Sequence, residues 1–247
     1  MAARPAGVVH LGDMVAWGNA RHWRDFDQLR APILAAGIPF LPLRGNHDTW
    51  GLPGRARAAL GQRFPELVGP TPWRRHRVGA LELVLLDSGR ARSGPQREWL
   101  AHTLAAAQAD AGCRGVLAFA HHPPLTNSTA TGDHRGVRAG LLPGLRTSSK
   151  FMALVSGHVH AFERFALGAA GAPECLVAGG GGGPRVGLRR GARARHHDLC
   201  PLPVPRPLHW LAIDVGPAGL QLQVRALTDD GATMATAYAF ALPWPAT

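Results

Sequence analysis

Four short apolar runs in this chain each end in a polar tip rich in metal-ligating side chains. Residues 6–11 lead to Gly12-Asp13, and residues 38–43 to Arg44-Gly45-Asn46-His47-Asp48. Residues 114–120 lead to His121-His122-Pro123, and residues 151–156 to Gly157-His158-Val159-His160. Each run has the length and β-rich character of a strand. In open α/β sheets the carboxyl ends of strands line the crevice where ligands bind. A fold that satisfies all four runs therefore gathers these tips along one sheet edge.

Alone, the pair His158 and His160 carries little weight in a chain with 13 histidines. Together the tips offer a carboxylate able to bridge two ions, an amide oxygen and several imidazoles. That set suits Mn, Fe or Zn better than Ca or Mg. Two such ions about 3.5–4 Å apart clamp a phosphate and generate hydroxide from bound water.

The 247 residues suffice for one large α/β domain, assigned here to 1–247. Trp23, Phe26, Leu29, Ile33 and Leu34 recur at helical spacing and predict a helix over residues 21–36, stopped by Gly37. Residues 51–73, rich in Gly, Pro and Arg, predict a loop with one helical turn. Residues 73–78 and 81–86 predict paired strands joined by Gly79-Ala80. Helices are predicted at 95–109 and 136–145. Past the fourth tip the character changes to hairpin strands, at 163–167, 174–178, 208–215, 220–226 and 233–242. Alternating strands and helices followed by antiparallel strands predict a layered α/β sandwich.

In their order, Gly-Asp, Gly-Asn-His-Asp, His-x-Pro and Gly-His-x-His, these motifs resemble the calcineurin-like metallophosphoesterases. The motif resemblance covers residues 8–164 and implies an α/β/β/α sandwich of two mixed sheets flanked by helices. It also implies a metal-dependent hydrolase of phosphate mono- or diesters with two divalent ions (Mn, Fe or Zn) and metal-bound hydroxide as nucleophile. Carried over by position, Asp13 bridges the two metals. Asn46, His121 and His158 complete the second, and His160 binds the first. His47 is the acid beside the leaving oxygen, with Asp48 orienting it, and His122 is the neighbour of a ligand. The stretch from Gly157 to Arg164 resembles the purple acid phosphatase branch, which has Tyr where this chain has Phe162. The iron-binding tyrosine of that branch falls at Ala16, which implies a colourless relative.

The family's opening Asp-x-His has no counterpart before Val8. The expectation is an N-terminally shortened version that lacks its first strand. The alternative is a one-metal or inactive, metal-binding relative. Any signal peptide would lie in the missing part, so a cytoplasmic location is the default expectation.

The net charge of +11 raises nucleic acid as a partner. Its source is arginine spread along the chain, with Lys150 the single lysine, so a small phosphate ester is the expected partner instead. Cys113, Cys175 and Cys200 form no C-x-x-C pair and read as buried or incidental thiols. His10 reads as a packed histidine, and His134 and His209 stay open. Gly179–Gly183 has no following helix, which excludes a dinucleotide loop and leaves a flexible turn or a close backbone approach to the metal edge. Arg185, Arg189, Arg190, Arg193 and Arg195 read as a solvated loop or as a contact for phosphate.

Overall fold

The computed structural model describes residues 4–52, 54–169 and 171–246. Its first half runs β1 (Val8–His10), α1 (Ala20–Ala35), β2 (Phe40–Pro42), α2 (Arg55–Arg63) and α3 (Pro65–Val68). The order continues with β3 (Arg74–Val78), β4 (Leu81–Leu86), α4 (Gly94–Ala109), β5 (Gly115–Ala120), α5 (Arg135–Gly140) and α6 (Leu142–Leu145). It closes with β6 (Phe151–Ser156), β7 (Phe162–Ala166), β8 (Glu174–Ala178), β9 (His209–Gly216), β10 (Gly219–Leu227) and β11 (Met234–Pro243).

Strands apolar on both faces need cover on both sides. β4, β5 and β6 are buried at every position, and they form the centre of a six-stranded mixed sheet ordered β3-β4-β5-β6-β8-β7. One face, with Val84, Val116, Ala118 and Leu154, packs on Leu100 and Leu104 of α4 and on Leu142 and Leu145 of α6. The other face, with Leu85, Leu117, Phe119 and Val155, packs on Leu43, Leu220, Leu222 and Leu242 of a second layer. Outside that layer, Trp23, Phe26, Leu60, Phe64 and Leu67 of the segment from α1 to α3 form an aromatic-rich cluster that covers Phe40. The layers are thus α/β/β/α. No helix among the described residues is long and apolar enough to cross a membrane.

Three expectations need correction. The second layer is a parallel pair, β1-β2, beside an antiparallel triple, β11-β10-β9, rather than one mixed sheet. β1 pairs only with β2 and β9 only with β10, so among the described residues no strand joins the two parts. Residues 51–73 contain two helices, because Ala56, Leu60, Phe64 and Leu67 form one buried face and Pro65 suits a first helical position. On α1, Trp23 and Phe26 are buried but Leu29 is 79% and Leu34 47% exposed. The apolar spacing ran past the end of the contact.

Buried Glu163 of β7 ties two long loops to the sheet edge. Its carboxylate accepts the Thr126 hydroxyl at 2.5 Å and the Asn127 N–H at 2.7 Å. Asn127 Oδ1 in turn accepts the N–H groups of Arg195 and His196. Burial pushes the Glu163 carboxyl up to about 7, against the pull of these hydrogen bonds. Because the folded value lies above the unfolded one, this group's contribution to stability is full below about pH 4.5 and is lost as pH rises through about 7. The Tm of the wild type, measured relative to Glu163→Gln, should therefore fall as pH rises across that window. A pH-independent difference between the two proteins contradicts this.

Candidate metal centre

The four tips meet as two pairs from two sheets, β1 with β2 and β5 with β6, rather than along one sheet edge, and His121 Nδ1 with the Leu11 carbonyl joins the pairs. β5 and β6 run parallel with Ala120 opposite Ser156, so His121 and Gly157 leave the sheet side by side, and Gly157 N–H donates to the His121 carbonyl at 3.0 Å. β1 and β2 are also parallel, with His10 opposite Pro42, which brings the Asp13 and Asn46 loops together above them.

His121 is fully buried at the centre of this group. Its Nδ1 lies 2.7 Å from the Leu11 carbonyl, which can only accept, so the proton sits on Nδ1 and Nε2 faces the site. From Nε2 the distances are 3.1 Å to Asn46 Oδ1, 3.2 Å to His158 Nδ1 and 3.3 Å to Asp13 Oδ2. With its proton on Nδ1, the ring has none on Nε2 to give, so the contacts with the two oxygens set lone pair against lone pair. A carboxylate, an amide oxygen and a second imidazole drawn to one imidazole nitrogen are donor types that suit a transition-metal ion, although the side chains whose donor atoms all lie within 4.8 Å of one another are His121, His122 and His158, without Asp13. The carbonyl behind His121 is the usual support that fixes a ligand's tautomer and orientation.

The charged states agree with that chemistry. Burial raises the Asp13 carboxyl, but the hydrogen bond and charge of His121, with the His47 N–H, outweigh it and hold the value at about 2. Burial, then the charge of His121, lowers His158 to about 4. Asp13 is therefore an anion and His158 a neutral imidazole at neutral pH, the forms that bind metal.

The backbone is bent to achieve this. Among described non-glycine residues, only Asp13 (φ 53°) and His158 (φ 63°) lie in the left-handed region. Such strain is of order 1–3 kcal/mol per residue and persists only where the surroundings over-determine it. Two glycines permit the approach. A Cβ at Gly45 would overlap the Asp13 carboxylate, and one at Gly12 would lie 2.6 Å from His121 Nδ1.

Asp48 differs from its expected role. Its buried carboxylate accepts N–H groups of Gly45 (2.7 Å), Asp13 (3.1 Å) and Val15 (3.3 Å). It fastens the β1 and β2 tips to each other and does not hold the His47 ring. That ring is set by Nδ1 against the Ala16 carbonyl at 2.9 Å and by Trp50, whose ring centroid lies 3.8 Å away. The reason is local: residues 47–49 form a 3-10 turn that sends the Asp48 side chain inward. Burial pushes Asp48 up to about 6, while the Gly45 N–H opposes the shift. The His47 N–H donates to Asp13 Oδ1 at 2.9 Å, so backbone and carboxylate are coupled.

His160 stands differently. Its Nδ1 lies 2.9 Å from the Pro184 carbonyl, and its ring packs so closely on Gly183 that a Cβ there would overlap it. It is absent from the group formed by His121, His122 and His158, in which one donor atom of each lies within 4.8 Å of the others.

His122 is the residue that the sequence reading undervalued. Its Nδ1 lies 2.8 Å from Ser88 Oγ, and its ring centroid is 4.4 Å from that of His158 and 4.5 Å from that of His134, which stacks on it. Burial, then the charges of His121, His158 and His134, lowers it to about 2, so it too is neutral. His134, open on sequence, is brought to this cluster, and its Nδ1 accepts from Val137 N–H at 3.1 Å. The doubled histidine before Pro123 was the available signal. His10 packs edge-on against Phe26 with a centroid distance of 5.6 Å, and the three cysteines are buried and free.

This layering, with carboxylate, amide and imidazole donors at the strand tips, defines a sandwich of the metallophosphoesterase type. The chain belongs to the calcineurin-like phosphoesterase family, whose model matches residues 2–162. Among solved structures, purple acid phosphatase PPD1 from yellow lupin (Lupinus luteus) seeds is similar with a TM-score of 0.70 and 16% identity. The match covers 96% of this chain and 46% of that one. GAP50, the anchor in the inner membrane complex of Plasmodium, gives 0.67 at 15% identity, covering 97% and 78%. A dimetal phosphatase from Danio rerio gives 0.63 at 14% identity, covering 97% and 84%. These likenesses show a shared fold, and the chain spans about half the length of the lupin protein. No curated protein matches the chain.

Replacing Gly45 with Ala should displace the Asp13 carboxylate and weaken divalent-ion binding by about 10–100-fold, as measured by calorimetry. Wild-type affinity in a folded Gly45→Ala protein contradicts the geometry described.

Proposed function

We propose that the chain is a metal-dependent hydrolase of phosphate esters. Asp13, Asn46, His121 and His158 hold one divalent ion (Mn, Fe or Zn), and His160 with Asp13 flanks the place of a second. The observation that carries this reading is the convergence of four donor atoms within 3.1–3.3 Å of, and including, His121 Nε2. An ion held there supplies Lewis acidity toward a phosphoryl oxygen and a lowered pKa for bound water.

The protein's own groups do the rest. Asp13 presents one oxygen to the donor cluster while the other accepts the His47 N–H, so the acid and the ligand set keep a fixed spacing. With Nδ1 committed to Ala16, His47 keeps Nε2 for a proton delivered to the leaving oxygen. Trp50, tilted against the ring at a centroid distance of 3.8 Å, limits its rotation. Asp48 keeps the two loops together and takes no direct part.

A second reading, a one-ion binding protein without turnover, is favoured by one observation. His160 and Asp13 both lie outside the group of His121, His122 and His158 whose donor atoms are within 4.8 Å of one another. The fold alone does not decide between them.

With an aryl phosphate and an aryl phosphodiester in added Mn, Asp13→Asn and His121→Ala should remove both turnover and tight metal binding. His47→Ala should keep the metal and lower kcat by about 10²–10⁴-fold, the range of a lost general acid. Equal turnover in wild type and all three variants refutes the hydrolase reading. One tightly bound ion with no turnover at any metal concentration favours the alternative.

A further inference from the structure

The glycine run after β8 begins and ends at the candidate site. Gly179 packs on the backbone of Val159 and Gly157, and Gly183 lies against the His160 ring. Between them Gly180, Gly181 and Gly182 line one side of a groove of about 210 Å³, with His209, Trp210 and Met234 across it. The His209 N–H donates to the Gly180 carbonyl at 2.9 Å and fixes the two sides relative to each other.

Three properties of this groove define an occupant. Gly181 and Gly182 have open space where side chains would stand, so their bare backbone offers a flat wall. Trp210 is 54% exposed, a large aromatic surface left in solvent beside that wall. His209, 3% exposed, gives its Nδ1 proton to the Pro207 carbonyl, which leaves Nε2 as an acceptor without a partner. Burial lowers the His209 pKa and favours that neutral form. The volume lies below the range of about 300–1,000 Å³ common for drug-sized ligands and suits one or two fused rings.

We propose that this groove is the leaving-group subsite of the candidate phosphoesterase, and that it takes a planar aromatic group carried on the ester oxygen directly or through a sugar. The proposal rests on the hydrolase reading, because the glycine run that lines the groove packs at its two ends on Val159, Gly157 and the His160 ring of the candidate site. Stacking on Trp210 provides affinity for any flat ring.

Non-hydrolysable phosphonates test this by calorimetry with added Mn: 2-naphthyl phosphonate, the phosphonate analogue of adenosine 5′-monophosphate, and methylphosphonate. Both aromatic compounds should bind about tenfold or more tightly than methylphosphonate, with tenfold equal to about 1.4 kcal/mol. Gly181→Leu, which adds bulk to the groove wall where a Cβ meets nothing within 4 Å, and Trp210→Ala should each remove that advantage and leave methylphosphonate binding unchanged. Equal binding of all three by wild type, or an advantage that survives both substitutions, overturns the proposal. A preference for the adenosine compound over the naphthyl one identifies a nucleotide source, and the reverse identifies a simple aryl ester. If none of the three binds, the metal-centre reading has failed, and free 2-naphthol then judges the groove: it should bind wild type and not Gly181→Leu. No binding of 2-naphthol overturns the groove as well.

Discussion

The hydrogen bond from His121 Nδ1 to the Leu11 carbonyl is the contact on which the site depends. It joins the tip of β5 in the six-stranded sheet to the tip of β1 in the second layer. It also decides which imidazole nitrogen faces the other donors. Without it, His121 is free to present a proton where a lone pair is needed. A buried imidazole with both nitrogens committed is rigid, and rigidity is what a ligand set needs to keep its spacing.

Much of the surrounding architecture keeps that bond and its neighbours in place. Parallel pairing of β5 with β6 delivers His158 next to His121, and parallel pairing of β1 with β2 delivers Asn46 next to Asp13. The Asp48 carboxylate, with three backbone N–H groups, clamps the two upper loops. The left-handed conformations of Asp13 and His158 are unfavourable by themselves. They are sustained by this clamp and by the packing of Gly12 and Gly45, each of which leaves no room for a side chain, with Gly157 close against Leu11. Conformational strain is concentrated where the chemistry lies.

Much of this was legible in the chain itself. Strand runs ending in Asp13, Asn46, His121 and His158 mark the side chains that the fold brings together, because apolar runs of that length have few folds in which to bury both faces. The Asp48 role was not legible, since a carboxylate next to a histidine looks like its partner until the 3-10 turn is seen to point it inward. Nor was the part of His122 and His134, whose proximity arises from the packing of α5 and Ser88 against the β5 tip. Composition misled for residues 51–73, where Gly, Pro and Arg concealed a buried helical face at Ala56 and Leu60. On α1 the apolar spacing extended to Leu29 and Leu34, beyond the surface that tertiary packing covers.

The central claim is that four named atoms share one ion. Anomalous diffraction at the zinc edge from zinc-soaked crystals tests it most directly. The account predicts a peak within about 2.0–2.2 Å of Asp13 Oδ2, Asn46 Oδ1, His121 Nε2 and His158 Nδ1. A peak held by His121, His122 and His158 without Asn46 and Asp13, or no peak at the strand tips, would contradict it.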